Sequence, residues 1–311
     1  MERHIKLADV EAVVRNIYEK FKDAETGGEV DPRIADADPS KFGIVVTLTD
    51  GRTIEVGDTC VAAPMDRLAL VPVMAVHREQ KLGQPHKCQC DKGVAMQDSC
   101  KCQKPEGLNV CPKALRLVSK IQPKDDADGK YDVIENMIVD MMGSAPVLND
   151  SLFESMSKTN VESDVENKLA AAGIELYDSA PIVISTTTKL RSLQADLKQM
   201  AMMGATLAAD GRNPITGEYA FDGEISPKVV AFMAVKGPRH LAKKWLMKTG
   251  LPAMSSFGGT IMGVYPGVMS IAAYSPAVNP DGVSVKAYKA MHHIMKQLDL
   301  NVFDSAKIVI D

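Results

Sequence analysis

The chain has 311 residues, of which 45% are hydrophobic and 24% charged, a composition typical of a soluble globular protein with one large core or two lobes. Its formal net charge of −4 and aromatic content of 5% do not match the basic, aromatic-bearing surfaces that bind nucleic acids, so we expect no nucleic-acid partner. No apolar run reaches the roughly 18 residues of a membrane span, and Met1 to Lys6 lack the apolar core of a signal peptide, so we expect no membrane contact and a cytoplasmic location.

The first predicted elements are a helix and a hairpin. Apolar residues recur at helical spacing from Val10 to Phe21, which predicts an amphipathic helix that is ended by Gly27-Gly28. Two β-rich runs, 42–49 and 52–56, surround Asp50-Gly51, a residue pair that favours a tight turn. The sequence therefore predicts a β-hairpin after the first helix.

The segment 86–111 differs from the rest of the chain in its cysteine content. It contains His86 and five of the six cysteines, namely Cys88, Cys90, Cys100, Cys102 and Cys111. In a cytoplasmic chain this clustering favours a metal site, with zinc as the candidate ion, or a redox cluster over structural disulfides. Because the Cys-x-Cys spacing differs from the Cys-x-x-Cys of standard zinc knuckles, an exposed loop with free or oxidised thiols remains the alternative.

Five helices are predicted after the cysteine segment; one contains Asn160 and Asn167, and the other four have defined ranges. The predicted ranges are 132–142, 186–207, 226–237 and 284–298. Apolar residues recur at helical spacing in the first, second and fourth of these ranges. The starts are marked by Asp132, Ser226-Pro227 and Ser284, and the ends of the second and third by Gly211 and Gly237. We expect the apolar stripes of these helices to form core.

A glycine- and serine-rich loop, Gly250 to Gly259, precedes a second predicted hairpin. The small residues Ser255 and Ser256 let the backbone approach a ligand or expose its N–H groups, so this stretch is either a site loop or a plain turn. The apolar runs 261–265 and 268–274, joined by Pro-Gly, predict the hairpin.

Hairpins near both ends of the chain, with helices between them, predict the architecture. We expect an α/β protein of the α+β type, with a mixed sheet lobe built from residues 1–80 and 226–311. Residues 81–225 would form an inserted helical lobe that contains the cysteine-rich segment. The cleft between two such lobes is the default ligand site.

Several segments are similar to motifs of one known family. They are Gly250-Leu-Pro-Ala-Met-Ser-Ser-Phe-Gly-Gly259, Asn213-Pro-Ile-Thr-Gly-Glu218, Asp281-Gly-Val-Ser-Val-Lys286 and the opening Gly28-Glu-Val-Asp31. Together they resemble the serine-dependent glutaminases over residues 25–60 and 133–303. The resemblance implies a β-lactamase/transpeptidase-like fold, hydrolysis of L-glutamine to L-glutamate and ammonia without a cofactor, and a homo-oligomer.

The nucleophile of that family is not matched. Relatives carry Gln-Ser-Ile-Ser-Lys after the first hairpin, and the first serine of this motif attacks the substrate amide. This chain has no serine between Ser40 and Ser99. Depending on the gap, the serine position falls on Pro64, Met65 or Arg67, none of which is a serviceable nucleophile.

The residues that activate the nucleophile in the family are also replaced. The lysine position falls on Arg67 or Leu70, and a guanidinium stays protonated, so it cannot replace lysine as a proton acceptor. Two family tyrosines at the start of a helix correspond to Thr187 and Leu190. A further active-site tyrosine corresponds to Arg239, which we expect to point into the cleft or to lie on a solvated basic helix face.

The resemblance also implies substrate-binding positions. Asn167 matches an asparagine that grips the amino-acid end of the substrate, whereas Asn160 replaces a glutamate, so a charge contact to the substrate ammonium would be lost. Ser255 matches a substrate-binding serine, and the backbone N–H of Phe257 matches one donor of the oxyanion hole. Backbone donors survive substitution, so part of this cradle would persist.

Three functions remain open. The first is a catalytically inactive or diverged glutaminase relative whose cleft binds a small amino acid or amide. The second is an active glutaminase-like amidohydrolase with a relocated nucleophile, for which Ser255, Ser256 and Cys60 are the candidates. The third is a metal- or redox-responsive protein that acts through the cysteine segment.

Overall fold

The computed structural model describes residues 2–25, 27–81, 111–162, 164–171 and 174–311. The strands are β1 (Glu2–Ile5), β2 (Glu29–Val30), β3 (Gly43–Leu48), β4 (Thr53–Gly57), β5 (Ala63–Pro64), β6 (Val147–Leu148), β7 (Leu193–Ala195), β8 (Ala253–Ser255), β9 (Thr260–Tyr265), β10 (Met269–Tyr274), β11 (Ala277–Val278) and β12 (Lys307–Ile310). The helices are α1 (Leu7–Phe21), α2 (Leu70–Glu79), α3 (Pro112–Val118), α4 (Ala127–Met142), α5 (Asp150–Glu162), α6 (Val165–Ala171), α7 (Ala180–Ser192), α8 (Leu197–Ala208), α9 (Ser226–Lys236), α10 (Ala242–Thr249) and α11 (Val285–Gln297).

The main sheet combines strands from both ends of the chain. Its order is β4-β3-β10-β9-β8, and every neighbouring pair is antiparallel. The two predicted hairpins therefore belong to one sheet, with Met269 of β10 opposite Leu48 of β3. This arrangement confirms the predicted α/β fold with a sheet built from both ends of the chain, and it shows that the main sheet is antiparallel and not mixed.

Helices cover both faces of the sheet. The amphipathic helix α1 and the C-terminal helix α11 pack on one face, where Val10, Ile17 and Ile294 are fully buried. Helix α8 packs on the other face against β3, β9 and β10. Gly204 permits this close approach, because a Cβ atom at this position would collide with the Ser270 side chain of β10.

The structure corrects the predicted helix at 186–207. This stretch forms the end of α7, the strand β7 and the helix α8. Strand β7 pairs with β5 and β6 in a small antiparallel sheet, and Asp196 then caps α8 in a reciprocal capping box with Gln199. Leu190, Leu193 and Leu197 have helical spacing, but long-range strand pairing overrides it. Strand β7 interrupts the predicted helix and brings the last turn of α7 close to β5.

Helices α2 to α7 lie in the chain between the two sets of sheet strands. Their apolar side chains form a second core, which includes Ile134, Met137 and Met141 of the predicted stripe. Helix α4 begins earlier than predicted, because Asp126, and not Asp132, caps it. The lobe boundaries at residues 80 and 225 stay a prediction. Within the described ranges, every helix falls short of the length and apolar character that a membrane crossing requires.

Candidate functional site

A buried carboxylate lies where β5 meets the helical part of the chain. Asp66 begins the short 3₁₀ helix Asp66–Ala69 that leads into α2, and its side chain is fully buried. Its φ of 44° lies in the left-handed region, which non-glycine residues seldom adopt. Backbone strain of this kind persists where the surrounding structure holds it, and it is concentrated at functional sites.

Two arginines and one backbone amide bind this carboxylate. Arg191, in the last turn of α7, donates from Nε to Oδ1 of Asp66 at 2.7 Å. Arg239, which follows α9, donates from Nη2 to Oδ2 at 3.0 Å. The backbone N–H of Phe257, in the Gly250–Gly259 loop, donates to the same Oδ2 at 3.3 Å. Asp66 therefore joins three parts of the chain that are far apart in sequence.

The arginines keep Asp66 ionised. Burial by itself would raise the pKa of this carboxyl, but the charges of Arg191 and Arg239 outweigh that effect and hold the pKa well below its usual range. The Arg33 guanidinium adds to the positive field. A negative charge is thus fixed beside the Phe257 amide.

This pKa shift predicts a loss of stability in acid. A carboxyl whose pKa is depressed in the folded state contributes stability above its unfolded-state pKa of about 3.9, and that stability is lost as the pH falls below this value. We expect the free energy of unfolding to fall between pH 5 and pH 3, and Asp66→Asn to reduce the slope. Urea unfolding at several pH values measures how the free energy of unfolding depends on pH. Asp36→Asn is the control, because Asp36 is exposed. Equal slopes in Asp66→Asn and wild type would contradict the assignment.

A cavity of about 480 Å³ lies next to the Asp66 cluster. Its lining includes Arg33, Asn149, Ser151, Ser155, Gln194, Pro64 and Gly258. The Arg33 guanidinium lies 3.7 Å from the centroid of the Phe257 ring and also pairs with Asp31 at 2.7 Å. Phe257 therefore contacts a cavity-lining arginine with its ring and the buried carboxylate with its amide.

The Gly250–Gly259 loop is fastened to β5. Ser256 Oγ donates to the Pro64 carbonyl at 2.5 Å and accepts from the Gly258 amide at 2.8 Å. A Cβ atom at Gly258 would lie 2.7 Å from Pro64 Cδ, so glycine is needed for this approach. The neighbouring Ser255 hydroxyl is buried and has no hydrogen-bond partner among the described residues.

The structure brings together only some of the predicted site residues. Arg239 and Phe257 converge on Asp66, and Ser255 and Ser256 belong to the same loop. Asn160 is buried between α5 and α7, where it donates to Thr188 Oγ1 at 2.8 Å, and Asn167 is exposed on α6 beside Asp164. Neither asparagine lines the cavity described above.

The two candidate cysteines among the described residues are not part of this cluster. Cys60 is an exposed thiol after β4, and Cys111 is an exposed thiol at the start of α3. Cys88, Cys90, Cys100 and Cys102 lie outside the described residues. Within the described part of the chain, no group of three histidine, cysteine or acidic side chains is placed to hold a metal ion. A zinc site at the cysteine segment has no support from the structure and stays a prediction.

Sequence reasoning missed Asp66 and Arg191. The structure places Asp66, and none of Pro64, Met65 and Arg67, at the Phe257 amide that the resemblance assigns to the oxyanion hole. One signal was available, since Asp66 is the only carboxylate in the mainly apolar run from Val61 to Val76. A charge in such a run must be paired if it is buried.

The comparisons with known proteins agree with the fold and with the sequence motifs. A family model described as glutaminase matches residues 28–303. The glutaminase of Bacteroides thetaiotaomicron is 32% identical over 325 residues, which cover 100% of this chain and 100% of that protein. The solved structure of a protein named probable glutaminase YbaS has a TM-score of 0.83 at 25% identity and covers 97% of this chain and 100% of its own.

A more distant structure supports the same fold. A probable glutaminase from Bacillus subtilis, solved in complex with 6-diazo-5-oxo-L-norleucine, has a TM-score of 0.76 at 20% identity, covering 97% of this chain and 98% of its own. The predicted resemblance is thereby confirmed in sequence over nearly the full length and in fold. The chain belongs to the glutaminase family.

Proposed function

We propose that this glutaminase-family protein does not hydrolyse glutamine through a serine nucleophile and that its cleft binds a small amino acid or amide. The observation that carries the proposal is the ionised Asp66 carboxylate at the Phe257 amide. Acyl transfer requires a nucleophile, a proton acceptor nearby and donors aimed at the developing oxyanion. Here the Phe257 N–H donates to the Asp66 carboxylate, and the other groups that bind this carboxylate are arginines.

The charge of Asp66 opposes the serine mechanism directly. An oxyanion that formed at the Phe257 amide would share this donor with a buried negative charge, and the two charges would repel each other. Arg191 and Arg239 already hold Asp66, and arginine does not accept a proton in proteins. The arrangement therefore favours a site that keeps an internal anion over one that stabilises a transition state.

The cavity beside Asp66 fits a small polar ligand. Its volume of about 480 Å³ lies within the range of roughly 300–1,000 Å³ that is usual for small-molecule sites. The amide groups of Asn149 and Gln194 and the hydroxyls of Ser151 and Ser155 are among its lining residues. Amides and hydroxyls both donate and accept hydrogen bonds, as recognition of an amino acid or amide requires.

An active amidohydrolase with a relocated nucleophile is the second candidate function. Similarity over the whole chain to proteins named glutaminase favours it, so the comparisons support this alternative better than a loss of activity. The case for inactivity rests on the geometry around Asp66. Ser255, with its buried and unpartnered hydroxyl, Ser256 and Cys60 are the candidate nucleophiles.

Ammonia release separates the two candidates. We expect purified wild-type protein incubated with L-glutamine to release no more ammonia than a heat-denatured blank in a coupled assay. Ser255→Ala, Ser256→Ala and Cys60→Ala would then equal wild type. Turnover at about 1 s⁻¹ or faster, a normal enzyme rate, that disappears in one of these variants would show that the nucleophile has moved.

Calorimetric titration tests the binding half of the proposal independently of turnover. We expect L-glutamine or L-glutamate to bind wild-type protein and to bind Gln194→Ala more weakly, because Gln194 lines the cavity. Gln297→Ala, at the end of α11 and outside the cavity lining, is the matched control. Failure of both ligands to bind at millimolar concentration would contradict a retained amino-acid site.

A further inference from the structure

A second cavity, of about 220 Å³, lies between α2, α3 and α9. Its described lining shares no residue with the larger cavity beside Asp66. The apolar side chains that line it are Leu70, Met74, Ala114, Leu117 and Phe232. Apolar walls of this kind exclude water and favour an apolar ligand group.

Positive charge surrounds these apolar walls. Arg67, Arg116, Lys120 and Lys236 line the same cavity, and none of its described lining residues is acidic. Cations at the rim of an apolar cavity are complementary to a ligand that has an anionic head and an apolar body.

Arg67 is the cation to which an anionic ligand group would bind. Its Nη2 donates to the Lys236 carbonyl at 3.4 Å, a long bond for a group with five N–H donors. Asp66 is the adjacent residue, but its carboxylate binds Arg191 and Arg239. Burial, followed by the charge of Arg239, lowers the pKa of Arg67, so the local environment disfavours its charge.

We propose that this cavity binds a small amphipathic carboxylate. Its carboxylate group would contact Arg67, and its alkyl chain would lie against Met74 and Phe232. Lys120 would add to the positive charge around the cavity. Arginine suits this role, because its planar fork binds both oxygens of a carboxylate. The site is separate from the cleft, so the inference does not depend on the proposed function.

Calorimetric titration of the full chain with octanoate tests the proposal. We expect octanoate to bind, and hexanoate, which is two methylenes shorter, to bind about sixteenfold more weakly, since each buried methylene contributes roughly a factor of four. Octan-1-ol and acetate, which lack the charge or the alkyl chain, are each expected to bind at least tenfold more weakly than octanoate. Lys120→Glu and Arg67→Gln should each weaken octanoate binding at least tenfold.

Lys244→Glu is the matched control, because Lys244 is exposed on α10 and does not line the cavity. It should bind octanoate as wild type does. Lys120 is exposed, so its replacement tests the site even if Arg67→Gln disturbs folding. The proposal is overturned if Lys120→Glu binds octanoate as tightly as wild type, if octan-1-ol binds as tightly as octanoate, or if octanoate does not bind at millimolar concentration.

Discussion

Asparagine in place of Asp66 is expected to lower the free energy of unfolding by about 3–5 kcal/mol, the usual cost of removing one partner from a buried ion pair. The substitution keeps the shape of the side chain and removes its charge. It leaves Arg191 and Arg239, whose side chains are only 14% and 25% exposed, without this carboxylate. The left-handed backbone at residue 66 is itself unfavourable, and the ion pairs help to hold it.

Urea unfolding at neutral pH measures the effect. Asp36→Asn is the matched control, because Asp36 is exposed at the neighbouring cavity, and we expect it to change the free energy by less than about 0.5 kcal/mol. Asp66→Asn combined with Arg239→Gln should cost less than the sum of the single variants, since the two residues share one interaction. A loss below about 1 kcal/mol in Asp66→Asn would mean that the cluster contributes little.

Local sequence patterns predicted most of the fold. The Asp50-Gly51 and Pro266-Gly267 turns and the apolar runs beside them specify two hairpins, which the pairing of β3 with β10 joins in one sheet. The region 186–207 could not be predicted in this way, because Leu190, Leu193 and Leu197 keep helical spacing across a strand. Pairing of β7 with β5 and β6 is a long-range interaction that no local window contains.

The site was predictable only where a motif marks it. Arg239 and Phe257 were found by their places in family motifs, and both lie at the Asp66 cluster. Asp66 and Arg191 were not found, because their interaction joins residues 125 positions apart. The resemblance also left the serine position open among Pro64, Met65 and Arg67, so it did not point to Asp66. A buried charge reveals its partners only when the fold is known.

A second buried ion pair supports the helices that follow the cysteine segment. Lys130, in the first turn of α4, and Asp178, just before α7, are both fully buried, and Lys130 Nζ lies 2.9 Å from Asp178 Oδ2. Lys130 also donates to the Ile121 carbonyl, and Asp178 accepts from the Ser179 amide at 2.7 Å. Burial would raise the pKa of Asp178, but the hydrogen bond and charge of Lys130 outweigh it and lower that pKa.

Lys130→Met is therefore expected to lower the free energy of unfolding by about 3–5 kcal/mol, because it leaves an ionised carboxylate buried without its cation. Asp178→Asn in the same chain removes that charge and keeps an acceptor for the Ser179 amide, so the double variant should recover part of the loss. Lys124→Met is the matched control. Lys124 is 49% exposed and forms a surface ion pair with Asp125 at 4.0 Å, and such pairs contribute about 0–1 kcal/mol to the free energy of unfolding. Urea unfolding of the three variants and wild type decides the matter. A double variant less stable than Lys130→Met would show that the charge of Asp178 is not what makes the single substitution costly.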